Sequence, residues 1–311
     1  GIYFIIVCSQ RYRSFIENQI YAQYPEAQIT IVHDYVDSRR NLNNKIQGNH
    51  FTAIKSSELI LAKEPFFSIK TFQNFEVDPL ASITGAISTL KSGTEVWIQI
   101  LTRPVYNKWQ EEGKKFITKS KGGDNKDSTE PGKASMKKEE KSFSESDVER
   151  KISKVGFQFV IRIVCKGTDK NTIDHTLEDV EASFKQFQTV DQNSLIKPKK
   201  KKKNPLRELN NKIKNFVLGK RRGQKISLLE KYKLRFLDEF EKNILNVEEL
   251  ASIYHLPNDS VKTPNIAWAK SRKLEYPLNL PFVDSPNKNI RVFAHTDYRN
   301  IHLPFGIKME D

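Results

Sequence analysis

The chain has 311 residues, of which 37% are apolar and 29% charged, and its formal net charge is +14. That length accommodates two domains or one domain with a long insert. No apolar run approaches the roughly 18 residues of a membrane span, no signal-peptide pattern is present, and Cys8 and Cys165 have no CxxC or Cys/His spacing, which argues against structural zinc and against a disulfide-stapled secreted domain.

The chain opens at Gly1, inside an apolar run and without Met, which reads as a fragment whose N-terminus lies upstream. Residues 2–7 predict a buried strand, with Cys8 a small buried hydrophobe at its end. Residues 11–24 predict a helix with Tyr12, Phe15, Ile16, Ile20 and Tyr24 inward, ended by Pro25. Residues 27–36 predict a second strand, with Ile29 and Ile31 alternating against Thr30, and residues 37–49 a polar loop.

Residues 51–61 and 66–72 predict strands split by Glu64-Pro65. The clearest fold signal follows. Asp78 is a helix N-cap with Pro79 at the first helical position. Leu80, Ile83, Ile87 and Leu90 form one apolar stripe, and Gly93 stops the helix. Residues 96–101 then predict a well-buried strand closed by Pro104. Residues 105–118 predict a helix anchored by Trp109, Phe116 and Ile117. Residues 120–146 are Lys/Glu/Ser/Gly-rich with almost no apolar side chains, the composition of a disordered insert.

Residues 155–165 alternate strongly and predict a strand. A helix over 171–187 follows, with Ile173, Leu177, Val180, Phe184 and Phe187 on one face. Both this strand and the one at the start end in Val-Cys before a polar turn and a helix, which suggests two units of similar design. Residues 227–244 predict a helix with Leu228, Leu229, Tyr232, Phe236 and Phe240 available for packing. Asn246 caps another helix, with Glu248 and Glu249 in its first turn, running to Leu256 and stopped by Pro257. Residues 258–311, rich in Pro, Asn and aromatics, read as an extended arm.

The charge is concentrated in one place. Residues 197–235 hold 16 Lys and Arg against Glu208 and Glu230, so the whole excess sits there. Lys199, Lys200, Lys201, Lys202 and Lys203, with Lys220, Arg221 and Arg222, are the candidate nucleic-acid contacts, neutralising phosphates without reading sequence. Anionic lipid headgroups are a second reading of the same residues, and a solvated flexible loop a third. No phosphate loop, GxGxxG, HExxH, nucleophile elbow or kinase signature occurs. The six histidines are scattered, and none is assigned as a base or ligand. Trp97, Trp109 and Trp268 read as packing anchors.

Several strings carry a resemblance: SFIENQIYAQYPEAQI over 14–29, DPLASITGAISTL, EVWIQILTRPVYNKWQ, EELASIYHLPNDSVKTPNIAW over 248–268, and YRNIHLPFGIKMED at the end. The chain resembles the region ahead of the motor in type IV secretion or conjugation ATPases of the coupling-protein kind, which are P-loop enzymes. The resemblance implies a non-catalytic fragment serving subunit assembly and docking during DNA or protein translocation. It also implies a hexamer in the whole protein, other secretion-system components as partners, and a place at the cytoplasmic face of the inner membrane through upstream helices. No cofactor is expected in this fragment, ATP and magnesium belonging to a motor beyond Asp311. The alternative is a nucleic-acid-binding module acting through residues 197–235.

The expected fold is α+β. Residues 1–119 and 154–196 would form two ferredoxin-like strand–helix–strand units around a disordered insert at 120–153. A basic segment (197–226), a helical pair (227–257) and an extended arm (258–311) would follow.

Overall fold

A computed structural model of the chain describes residues 1–36, 53–122, 145–189, 192–198, 226–238, 242–258, 261–266, 268, 275–277, 279–283, 289–298 and 301–309. The fold is α+β, as expected. It divides into two units, one made of Gly1–Tyr35 with Asn265–Asp311 and the other of Val36–Pro264.

In the first unit, the helix expected near the start is present as α1, Arg13–Gln23, preceded by a 3-10 turn at Gln10–Tyr12. Its buried face differs from the expected one. Tyr21 is its buried residue, while Tyr12 and Phe15 are exposed, Phe15 at 64%. Arg13 and Glu17 form an i,i+4 ion pair at 2.8 Å. The strands expected at 2–7 and 27–36 do not form. Ile2 makes an isolated parallel bridge to Ile266, Tyr3, Ile5, Ile6 and Val7 are exposed, and Cys8 is exposed rather than buried. The physical reason is that a β-prone run becomes a strand only where a second strand takes up its backbone groups.

The second unit is built on one antiparallel sheet: β1 (Ala53–Leu61), β2 (Glu95–Pro104), β3 (Gly156–Gly167), β4 (Leu195–Ile196) and β5 (Ile244–Asn246). The order is β2-β3-β1-β4, with β5 pairing the start of β3. In place of two ferredoxin-like units, strands from both expected units join this single sheet. β3 is buried along almost its full length and is the centre of the fold. β2, expected to be well buried, is an edge strand, with Gln99 its buried residue.

Helix α2 (Pro79–Ser88) starts as its sequence predicts, the Asp78 carboxylate accepting from Leu80 N at 2.8 Å with Pro79 at the first position, but it ends at Ser88, before Leu90 and the expected stop at Gly93. Gly93, at φ +84°, makes the turn into β2 in a conformation that Cβ-bearing residues rarely adopt. Helix α3 (Lys108–Gly122) places Trp109 and Ile117 inward. Helix α4 (Glu145–Ile152) lies where the low-complexity insert was expected to run, and buries Val148, Lys151 and Ile152; residues 123–144 lie outside the described residues. Phe66, Phe67, Trp109, Ile117, Val148, Ile152 and Ile244 form a small second core.

Helix α5 (Lys170–Ser183) and the 3-10 turn Phe184–Phe187 bury Ile173, Leu177, Val180, Phe184 and Phe187, as the periodicity predicts. Asp169 caps α5 by accepting from Thr172 N and Oγ1; these bonds hold its carboxyl below the usual range. The main core lies between this helix and the sheet face carrying Leu59, Leu61, Phe159, Ile161, Ile163 and Cys165.

Residues 66–72, expected as a strand, join no ladder: 66–69 and Thr71 are buried, Lys70 is half-buried, and Phe72 is exposed and begins the 3-10 turn Phe72–Asn74. Ser68 N donates to Gln192 Oε1 (3.2 Å), Ile69 N to Glu249 Oε1 (2.8 Å), Lys70 N to Phe187 O (2.9 Å) and Phe72 N to Ser252 Oγ (2.8 Å). Side chains take over the role of a neighbouring strand.

The long helix expected over 227–244 is cut to α6 (Leu228–Lys233), with a Ser227/Glu230 capping box that holds the Glu230 carboxyl below its usual range. It ends because Arg235 adopts φ +48°, with Arg235 N bonded to Tyr232 O and Phe236 N to Lys231 O. This is the Schellman closure, made here with arginine. Phe236 is exposed as a result, and Phe240 lies outside the described residues. Helix α7 (Val247–Ile253) is capped by Asn246 as predicted, with a capping box to Glu249, and ends short of Leu256.

The first unit's C-terminal part is not simply an extended arm. It contains the antiparallel pair β6 (Ile290–His295) and β7 (Pro304–Lys308), with a register shift between Val292 and Ala294.

Candidate functional site

The two faces of the central sheet differ in chemistry. Alternation along β3 sends Phe159, Ile161, Ile163 and Cys165 to the apolar core, and Gln158, Val160, Arg162, Val164 and Lys166 to the other side. Register places Glu58 of β1 and Gln99 of β2 on either side of Arg162. This face is a polar, charged layer, and residues 226–238 lie across it.

Arg162 is at its centre and is fully buried. Its Nε donates to Glu58 Oε2 at 2.9 Å, one terminal nitrogen donates to Lys231 O at 3.2 Å, and the other lies 3.5 Å from Asp238 Oδ2. Lys231 O belongs to the last turn of α6, where a cation also complements the helix dipole. Gln99 Nε2 donates to the next carbonyl, Tyr232 O, at 3.1 Å, and Gln158 Nε2 donates to Asp238 O at 2.6 Å. Tyr232 stacks on Trp97 with ring centroids 6.1 Å apart, and Lys166 Nζ sits 4.2 Å from the Trp97 ring centroid while pairing with Glu95 at 2.8 Å.

A second buried ionic group ties the other end of the fold. Lys151 of α4 and Glu249 of α7 meet at 3.1 Å. Lys151 Nζ also donates to Phe67 O and Ile244 O, while Glu249 accepts from Ile69 N and Asn246 N. Burial pulls the Lys151 ammonium below its usual range, and the Glu249 charge partly opposes that.

The third group is a histidine–carboxylate pair. His255 Nε2 lies 2.9 and 3.0 Å from the two Asp78 oxygens, and its Nδ1 lies 2.9 Å from Ala251 O. Both ring nitrogens face oxygens of the fold itself, so neither presents a lone pair to a substrate. Asp78 thereby joins the start of α2 to the end of α7. Sequence reasoning found its capping role and missed His255, because the two are 177 positions apart. Cys165 lies in the main core, and burial, with Glu181 nearby, pushes its thiol up to about 12, far from the range of a reactive thiolate.

The candidate phosphate contacts Lys199, Lys200, Lys201, Lys202, Lys203, Lys220, Arg221 and Arg222 all lie outside the described residues. Lys197 is described and pairs with Glu181 at 2.5 Å. Trp97 and Trp109 are packing residues, as expected; Trp268 is exposed. Among the described residues no helix is long and apolar enough to cross a membrane, and no group of three or more His, Cys, Asp or Glu is placed to hold a metal ion.

Residues 2–269 match the family described as DUF8128, a domain of unknown function. The chain belongs to this family. The match runs through α1, all five strands of the central sheet and α2–α7, so the charged layer, the Lys151–Glu249 pair and the His255–Asp78 pair all lie inside the DUF8128 region. No curated protein matches the chain, and no solved structure matches it. In this DUF8128 chain the buried charged groups link segments distant in sequence, and their hydrogen-bonding capacity is directed largely at the protein's own backbone and side chains.

Proposed function

We propose that this chain is a non-catalytic region of a type IV secretion-type ATPase, serving subunit assembly and partner docking in DNA or protein translocation at the cytoplasmic face of the inner membrane. ATP and magnesium belong to a motor outside this sequence, and the whole protein works as a hexamer. Two things support the reading. The resemblance strings lie mainly in structural elements: DPLASITGAISTL spans α2 and its cap, and EVWIQILTRPVYNKWQ spans β2 and the start of α3. The observation that carries it is the surface of the unit containing α1. Tyr3 (73% exposed), Val7, Phe15, Ile31, Val32, Phe293 and Ile307 present apolar side chains to solvent there. Exposed apolar side chains mark a polypeptide interface where they form one contiguous patch.

Sedimentation velocity over a range of concentrations tests it. The chain self-associates, and Phe15→Ser combined with Ile31→Ser shifts it toward monomer. A chain that stays monomeric at high concentration, or that hydrolyses ATP unaided, overturns the reading.

The nucleic-acid alternative is favoured by one fact, the confinement of the charge excess to residues 197–235. A DNA titration at rising salt decides between them. A tight complex whose affinity falls steeply with salt supports the alternative.

A further inference from the structure

We propose that residues 226–238 form a latch that opens as a separate unit, uncovering the charged face of the sheet while the rest of the sheet stays folded. The inference is independent of the secretion reading.

The argument rests on what holds the two faces. On the core side, α5 brings Ile173, Leu177 and Val180 into the main apolar core, all of them buried. On the other side, Tyr232 is the one fully buried residue of the latch. Leu234, Phe236 and Ile226 are exposed. The remaining attachments described above are polar: Arg162 to Lys231 O and Asp238, Gln99 to Tyr232 O, and Gln158 to Asp238 O. An element with few buried apolar contacts belongs to the low-stability end of a fold.

The latch also carries its own internal order. The Ser227/Glu230 capping box closes the start of α6, the Schellman bonds close its end, and Lys231 pairs with Asp238 at 2.6 Å. It can therefore leave the sheet as one piece. The sheet face beneath remains ordered without it, because Arg162 keeps Glu58 and Lys166 keeps Glu95 and Trp97. Asp238 is the fastening point, since it faces both Arg162 and Lys231 and is 20% exposed.

Hydrogen exchange on the full chain, read by mass spectrometry, tests the proposal together with phenylglyoxal labelling of Arg162. The hydrogen-bonded amides of Lys231, Leu234 and Phe236 exchange at least roughly tenfold faster than those of β3 in the unmodified protein. Asp238→Ala accelerates both latch exchange and Arg162 labelling by roughly tenfold, the loss of a charge-assisted attachment, and leaves β3 exchange unchanged. Three results each overturn the proposal: latch and β3 exchanging in step, Asp238→Ala accelerating both alike, or Asp238→Ala leaving the latch unchanged.

Discussion

Lys151 Nζ lies 3.1 Å from Glu249 Oε2, and both side chains are 0% exposed. One sits on α4 and the other on α7, and their remaining bonds reach residues 67, 69, 244 and 246. This pair holds four segments that share no strand ladder.

Breaking the pair from one side strands a buried charge. Glu249→Ala leaves the Lys151 ammonium without its counter-charge and frees the amides of Ile69 and Asn246, so urea denaturation should show a loss of about 3–5 kcal/mol. The pH dependence has a definite sign. Burial lowers the folded-state pKa of Lys151 beneath its ordinary 10.5, so the unfolded chain binds more protons between the two values. Stability attributable to Lys151 therefore rises with pH through that window, is fully present above the ordinary value and is lost as pH falls through the folded one. Measured against Lys151→Met, the wild-type protein should gain relative stability as pH approaches the lysine range from below. A flat difference would contradict this.

Gly156 begins β3 directly against Trp109. A Cβ at that position would lie 2.7 Å from two atoms of the indole ring. Gly156→Ala should destabilise the protein by about 1–3 kcal/mol, the range of overpacked cores. Combining it with Trp109→Leu should cost less than the sum of the single changes, because the indole is what the new methyl meets. Additive thermal-denaturation results would show that the backbone, not the ring, objects to the substitution.

Asp78 serves α2 and His255 together. Asp78→Ala should cost more than the ~1 kcal/mol of a lost cap, because the His255 contact goes with it. A double-mutant cycle with His255→Ala should report a coupling of at least about 0.5 kcal/mol. Zero coupling would reduce the contact to coincidence.

Thiol titration separates the two cysteines. Cys8 is exposed, whereas Cys165 is buried with its thiol pushed up to about 12. Ellman's reagent at mildly alkaline pH should find one reactive thiol per native chain and two in denaturant. Two in the native state would mean the β3 core opens readily.

What could be read from the residues was local. Asp78-Pro79, the stripe through Leu80 and Ile83 and the Asn246 cap each act within a turn or two of chain, and all three appear as expected; Gly93 takes its left-handed conformation in the turn into β2, not at the helix end, which falls at Ser88. Local pattern also holds for α5 and the 3-10 turn after it, where the five predicted apolar positions are all buried. The runs at 2–7 and 27–36 failed for the opposite reason. β propensity records a fit to a pleated surface, and the neighbour that completes it is specified elsewhere. Residues 66–72 show the same gap in reverse: most of them are buried without joining a ladder, and Gln192, Glu249 and Ser252 take up their backbone amides in place of a strand.

The amino-acid sequence on its own determined the α+β class, the caps, the strong helices and the concentration of charge in residues 197–235. Tertiary structure alone decided that two expected units share one sheet, that α4 rises out of a polar low-complexity stretch, and that Arg162 is buried beneath residues 226–238. A helix closes its hydrogen bonds within its own neighbourhood, so its signals lie side by side in the chain. A sheet ladder, or an ion pair joining residues about a hundred positions apart, forms only once the chain has folded back on itself, and no local pattern records the partner.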